Sequence, residues 1–212
     1  NGGRQWENIS DGYFGGSIGS IAVSKSDPNV IYVGGGEKTV RGNVSSGYGM
    51  WKSVDAGKTW SKSGLEKSRH IPRIAIHPTN HNIVYAGVMG NIYKPTQERG
   101  VYKSTDGGAT WTKINKGLPN VELGRIGLAI SPANPELIYA IVEAANGKGG
   151  FFASTNRGAS WEKRSSHVTS GNYYQEIVAD PVDENTVYSM DTWMSVTHNG
   201  GKNFQLVGED TK

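Results

Sequence analysis

Apolar residues along this chain come in short alternating bursts, and the three-to-four spacing of an amphipathic helix is absent throughout. The run Ile18-Gly19-Ser20-Ile21-Ala22-Val23 predicts a strand over residues 18–24, and Asp27-Pro28-Asn29 supplies the turn that follows. Further strands are expected over residues 30–35, 49–54 and 59–63. The same order then returns. Apolar runs recur at Ile74-Ala75-Ile76, Ile126-Gly127-Leu128-Ala129-Ile130 and Ile177-Val178-Ala179. Each is followed by an Ile-Tyr or Val-Tyr pair ending at Tyr85, Tyr139 or Tyr188, as the first run is by Tyr32. Asp27, Asn80, Asn134 and Asp183 each stand five residues before these tyrosines.

A second column keeps the same period. Ser53-Val54-Asp55-Ala56-Gly57-Lys58-Thr59-Trp60 recurs around Asp106, Gly108 and Trp111, then around Asn156, Gly158 and Trp161. A degraded copy holds Asn199, Gly201 and Phe204, and Asn1 to Trp6 match the end of a fifth. The closing aromatics lie 43–54 residues apart. Four short strands per 40–50-residue unit is the signature of a propeller blade. The expected layout is all-β and one propeller segment. Residues 1–9 form the outer strand of a preceding blade, and blades follow at 17–64, 70–115, 124–165 and 173–209.

The motif S-x-D-x-G-x-T-W resembles the Asp-box, or BNR repeat, of sialidase, xyloglucanase and sortilin-type propellers. The wider text, such as Gly49-Met50-Trp51-Lys52-Ser53, is similar to large secreted bacterial propellers labelled sortilin-like or glycosyl hydrolase. That resemblance implies antiparallel four-stranded blades, seven or more in the closed ring, so the chain is expected to be part of a larger propeller. It also implies an extracellular, cell-surface or periplasmic location. In xyloglucanase-type enzymes the two catalytic carboxylates sit in separate parts of a two-propeller cleft, and neither aligns with a position here.

Physical chemistry assigns the boxed residues to folding. An Asp or Asn side chain at the turn accepts backbone N–H bonds, the Gly takes a positive φ without steric cost, and the Trp buries a large ring. Function belongs to the connectors at the opposite end of the blades. The second-to-third-strand loops there, at 37–48, 90–99 and 143–149, carry Glu37, Arg41, Tyr48, Tyr93, Lys94, Glu98, Arg99 and Glu143, and the shortest carries Asp191. The blade-to-blade connections add Glu66, Arg69, His70, Tyr173 and Tyr174. Glycoside hydrolysis needs two carboxylates flanking the bond, and Glu37, Glu98, Glu143 and Asp191 are the candidates. Arg41, Tyr48, Arg69, Tyr93, Arg99, Tyr173 and Tyr174 are the candidate ligand contacts.

Composition narrows the classes. Glycine is 30 of 212 residues without a G-X-Y period, which fits many tight turns. There are no cysteines, so disulfides, Cys-based zinc sites and thiol nucleophiles are excluded. The formal charge is +3 with no basic stripe, so no nucleic-acid partner is expected. No apolar run reaches membrane-spanning length, and no metal or cofactor motif stands out. The leading expectation is a non-catalytic recognition or scaffolding propeller that binds a glycan or peptide. The alternative is a glycoside hydrolase, or part of one, acting on polysaccharide. The remainder of a longer chain, or a second protein, is expected to complete the ring.

Overall fold

The computed structural model describes residues 2–170 and 173–208. Asn1, residues 171–172 of the last connection, and the end of the fourth blade at residue 209 lie outside them.

Four antiparallel sheets of four strands follow one another along the chain, each in simple sequence order. The first holds β1 (Ile18–Val23), β2 (Ile31–Gly35), β3 (Met50–Ser53) and β4 (Ser61–Lys62). The second holds β5 (Arg73–Ile76), β6 (Val84–Val88), β7 (Gly100–Ser104) and β8 (Thr112–Lys113). The third holds β9 (Leu123–Ile130), β10 (Ile138–Ala144), β11 (Gly150–Ser154) and β12 (Glu162–Ser165). The fourth holds β13 (Glu176–Ala179), β14 (Val187–Met190), β15 (Ser195–Thr197) and β16 (Gln205–Leu206). The inner strands β1, β5, β9 and β13 are neighbours in that order around the axis. Each sheet is therefore a blade.

The third-to-fourth-strand turns close on their own side chains. Ser53 Oγ donates to Asp55 Oδ1 and accepts from the Gly57 N–H at 2.8 Å, while Asp55 accepts the Thr59 N–H at 2.9 Å and its hydroxyl at 2.6 Å. Asp106 repeats this set with Ser104, Gly108 and Thr110. Asn156 and Asn199 keep the backbone part of it. The Thr59 hydroxyl and N–H hold the Asp55 carboxyl down at about 2, and Thr110 does the same for Asp106. Gly57, Gly108, Gly158 and Gly201 have φ between +85° and +90°, the region where a Cβ is costly.

The box tryptophans tie each blade to the stretch of chain before it. Trp111 Nε1 donates to Ser63 O at 2.7 Å, Trp161 Nε1 to Ile114 O at 2.7 Å, and Trp60 Nε1 to Ile9 O at 2.8 Å. The tyrosine column ties each blade to the next. Tyr32 donates to His81 O, Tyr85 to Arg157 O and Tyr139 to Glu184 O. Phe204 has no N–H to give, and its ring stacks on His167 at 3.8 Å, while His167 Nε2 bonds Ser189 Oγ. At the axis Arg73 on β5 donates to Leu128 O on β9 and Ile177 O on β13, joining three inner strands.

Two expectations at the chain start are corrected. Residues 5–9 form no strand, since none of the described strands pairs with them. Trp6 is 90% exposed, unlike Trp161 at 5%, because none of the four described blades packs on its ring. The adjoining flank of the first blade leaves Ile9, Ile18, Ile21 and Val23 exposed around an apolar hollow of about 510 Å³.

Candidate functional site

The loops at the end opposite the box turns are held together by backbone bonds before any side chain is considered. Gly36 N–H donates to Ser17 O, Gly47 N–H to Arg69 O at 2.7 Å and Ile71 N–H to Gly35 O at 3.0 Å. The second-to-third-strand loop of the first blade thus lies flat on the connection into the second blade. Glycines make this approach possible: a Cβ on Gly36 or Gly47 would run into the Arg69 carbonyl or the backbone of residues 35–36. Tyr93 completes the join, since its hydroxyl bonds both the N–H and the C=O of Val44 at 3.1 Å.

Two clefts open on either side of this join. The first, about 310 Å³, lies between residues 14–17 and the 37–48 loop, with Glu37, Tyr48, Phe14 and Trp51 on its walls. The second, about 560 Å³, runs between the first two blades. Ser46, Gly47, Tyr48, Glu66, Lys67 and Arg69 form one wall, and Asn91, Lys94, Thr96 and Glu98 the other. Tyr48 is 70% exposed at the shared rim. A third groove, about 760 Å³, follows the outer side of the second blade past Pro95, Lys113 and Leu118.

The expected site residues separate accordingly. Tyr48, Arg69 and Glu98 converge in the second cleft. Glu37 lines the first, within 3.5 Å of Arg41, and its carbonyl meets His70 Nδ1 at 3.1 Å. Burial favours the neutral form of that histidine. Glu143 lies apart on the third blade, accepting the Arg125 N–H at 3.0 Å. Asp191 lies on the fourth, accepting the N–H groups of Ser170 and Thr192. Arg99 is tied into the scaffold, paired with Glu122 at 3.0 Å and donating to Leu123 O and Asn91 O. Tyr173 is exposed and Tyr174 half-buried beside it. Lys38 from the first blade pairs with Glu176 on β13 of the fourth.

Two further residues enter from the geometry. Glu66, outside the four candidate carboxylates, lines the same cleft as Glu98. Trp193, just past Asp191, is 72% exposed at the loop end of the fourth blade. A signal for it was present, since four of six tryptophans belong to box motifs and Trp51 and Trp193 do not. Among the described residues no group of three His, Asp or Glu side chains gathers as metal ligands would. The second cleft therefore offers an exposed aromatic ring, neutral hydrogen-bonding groups and two carboxylates, a set suited to a polar polymer.

The model of the family described as sortilin, neurotensin receptor 3 (Sortilin-Vps10) matches residues 1–148. A xyloglucanase of Hypocrea jecorina is 28% identical over 197 residues, spanning 85% of this chain and 21% of that protein. Xyloglucanase Xgh74A of Acetivibrio thermocellus is 30% identical over 178 residues, spanning 71% of this chain and 20% of that protein. The chain thus spans about a fifth of these relatives. Among solved structures, an ancestral GH74 enzyme superposes with a TM-score of 0.67 at 24% identity, covering 96% of this chain and 25% of that one. At that identity the likeness concerns the fold.

Proposed function

Because the chain belongs to the sortilin-Vps10 family, we propose that it is the glycan-facing part of a xyloglucanase-like glycoside hydrolase, with a β-linked polysaccharide lying across the loop end of its first two blades. One observation carries this reading: the cleft between those blades gathers Tyr48, Asn91, Thr96, Glu66 and Glu98 on opposing walls. An exposed tyrosine gives a sugar ring a flat apolar surface, and the amide and hydroxyl meet sugar hydroxyls. In the proposed chemistry Glu66 and Glu98 act from the two sides of the glycosidic bond. One protonates the departing oxygen; the other attacks the sugar or activates water, depending on their separation. A polysaccharide substrate implies a location outside the cytoplasm, and among the described residues no helix is long and apolar enough to cross a membrane.

The test is release of reducing ends from xyloglucan and unsubstituted β-glucans by the protein, with Glu66→Gln and Glu98→Gln alongside. Either variant should lose activity by about 10³-fold or more while keeping its affinity for the polysaccharide, because binding and bond cleavage use different groups. Binding without turnover on every β-glucan would instead support the non-catalytic recognition propeller. In the same reading, the apolar flank around Trp6 and Ile21 is covered in the native assembly by a further blade, from the rest of a longer chain or a second protein. A native mass of 22.8 kDa with a cooperative melt would remove that part of the proposal.

A further inference from the structure

The cations of this molecule fall into two groups. Those that hold the fold have partners: Lys52, Lys103 and Lys163 donate to carbonyls of Gly107, Arg157 and Gly149, and Arg73 and Arg99 bridge neighbouring strands. Lys67, Arg69 and Lys94 have no such role, and neither do Lys25, Lys58, Lys62 and Lys116 elsewhere on the surface; it is their place that sets Lys67, Arg69 and Lys94 apart. Among the described residues none of their side chains has a hydrogen-bond or ion-pair partner, yet all three line the cleft between the first two blades. Lys67 and Arg69 come from the connection into the second blade, and Lys94 from the loop on the opposite wall. Against Glu66 and Glu98 they leave the cleft with an excess of one positive charge. A neutral polysaccharide offers such cations hydroxyl acceptors but no opposite charge. Gathered in one cleft, their charges act together on a single ligand, and a guanidinium fork matches a carboxylate in a bidentate fashion.

We infer that this cleft recognises an acidic polysaccharide, one whose sugars carry carboxylates, with Arg69 and Lys94 receiving the carboxylate while Tyr48 carries the ring. The inference rests on the glycan reading above and narrows its substrate class. It differs from what the names of the xyloglucanase relatives imply, since xyloglucan is uncharged.

Soluble β-1,4-glucans of opposite character test it: carboxymethyl cellulose, which is anionic, and hydroxyethyl cellulose, which is neutral, compared by affinity electrophoresis of the full chain. The anionic polymer should bind about tenfold more tightly at about 20 mM salt, and the difference should shrink as salt rises to about 200 mM and screening shortens the range of the charges. Arg69→Gln and Lys94→Gln should each weaken binding of carboxymethyl cellulose about three- to tenfold more than binding of hydroxyethyl cellulose, with the melting temperature unchanged, because both side chains are exposed and make no internal bond. Equal affinity for the two polymers, or an equal loss on both in the variants, overturns the acidic-substrate inference and leaves the glycan reading standing. Competition by dextran sulfate as strong as by carboxymethyl cellulose also overturns it, as non-specific charge attraction. Binding to neither cellulose derivative nor xyloglucan overturns the glycan reading itself.

Discussion

Trp161→Ala should lower the stability of the chain by about 3–5 kcal/mol, whereas Trp6→Ala should change it by less than about 0.5 kcal/mol. The two residues close equivalent motifs, and only their surroundings differ. Trp161 is 5% exposed and packs in the cluster that includes Tyr85, Leu118, Val101 and Phe152. Its indole N–H donates to Ile114 O and its backbone N–H to Lys116 O. Truncation removes the ring from a dense core and leaves the Ile114 carbonyl without that donor, so a cavity term and an unpaired-acceptor term add. Trp6, at 90% exposure, has no such core to lose. Urea unfolding of the two variants beside the parent chain measures the contrast. Comparable losses at both positions would show that the Trp6 ring is held by a partner surface, contrary to its exposure here.

Gly36→Ala is the second large effect, expected to cost about 2–4 kcal/mol and to abolish polysaccharide binding together. Gly36 has φ of +85° and sits against the Arg69 carbonyl and His70, so a methyl group adds backbone strain to a collision with main chain that cannot swing away. Relief would require lifting the 37–48 loop off the connection that carries Glu66 and Arg69, separating the walls of both clefts. Gly42→Ala is the matched control: it lies in the same loop with open space around its Cα and no positive φ, and should leave both melting and binding unchanged. A Gly36→Ala protein that melts normally and still binds would mean that this contact does not position the site.

The fate of these two positions shows where local information ends. The box turns were legible because each closes on itself: Ser53, Asp55, Gly57 and Thr59 satisfy one another within a few residues, and a constraint so local must be written again in every unit. The strand runs were legible for the same reason, since alternation is a property of one strand and its pleat. The role of the tryptophans was only half legible. Burial of the ring was expected, but the partner carbonyls lie 47–51 residues earlier in the chain. A motif does not carry the surface that its ring will pack on. That is why residues 5–9 carry the text of a strand and form none.

The clefts were the least legible part. Glu66 and Glu98 sit on separate connectors, with no period and no shared motif, and are brought to one cleft only by the Gly47–Arg69 bond and the Tyr93–Val44 clamp. Arg99 looked equivalent to Arg69 as an exposed loop cation, yet one is anchored by Glu122 and backbone carbonyls while the other faces the cleft. The amino-acid sequence by itself determined the blade, its four-strand order and its self-closing corners, because those depend on residues near one another in the chain. Only the tertiary structure decided which loop side chains share a cleft, which cations are left unpaired and which aromatic rings stay exposed. Those outcomes depend on how successive blades stack, through hydrogen bonds and packing between residues about 50 positions apart.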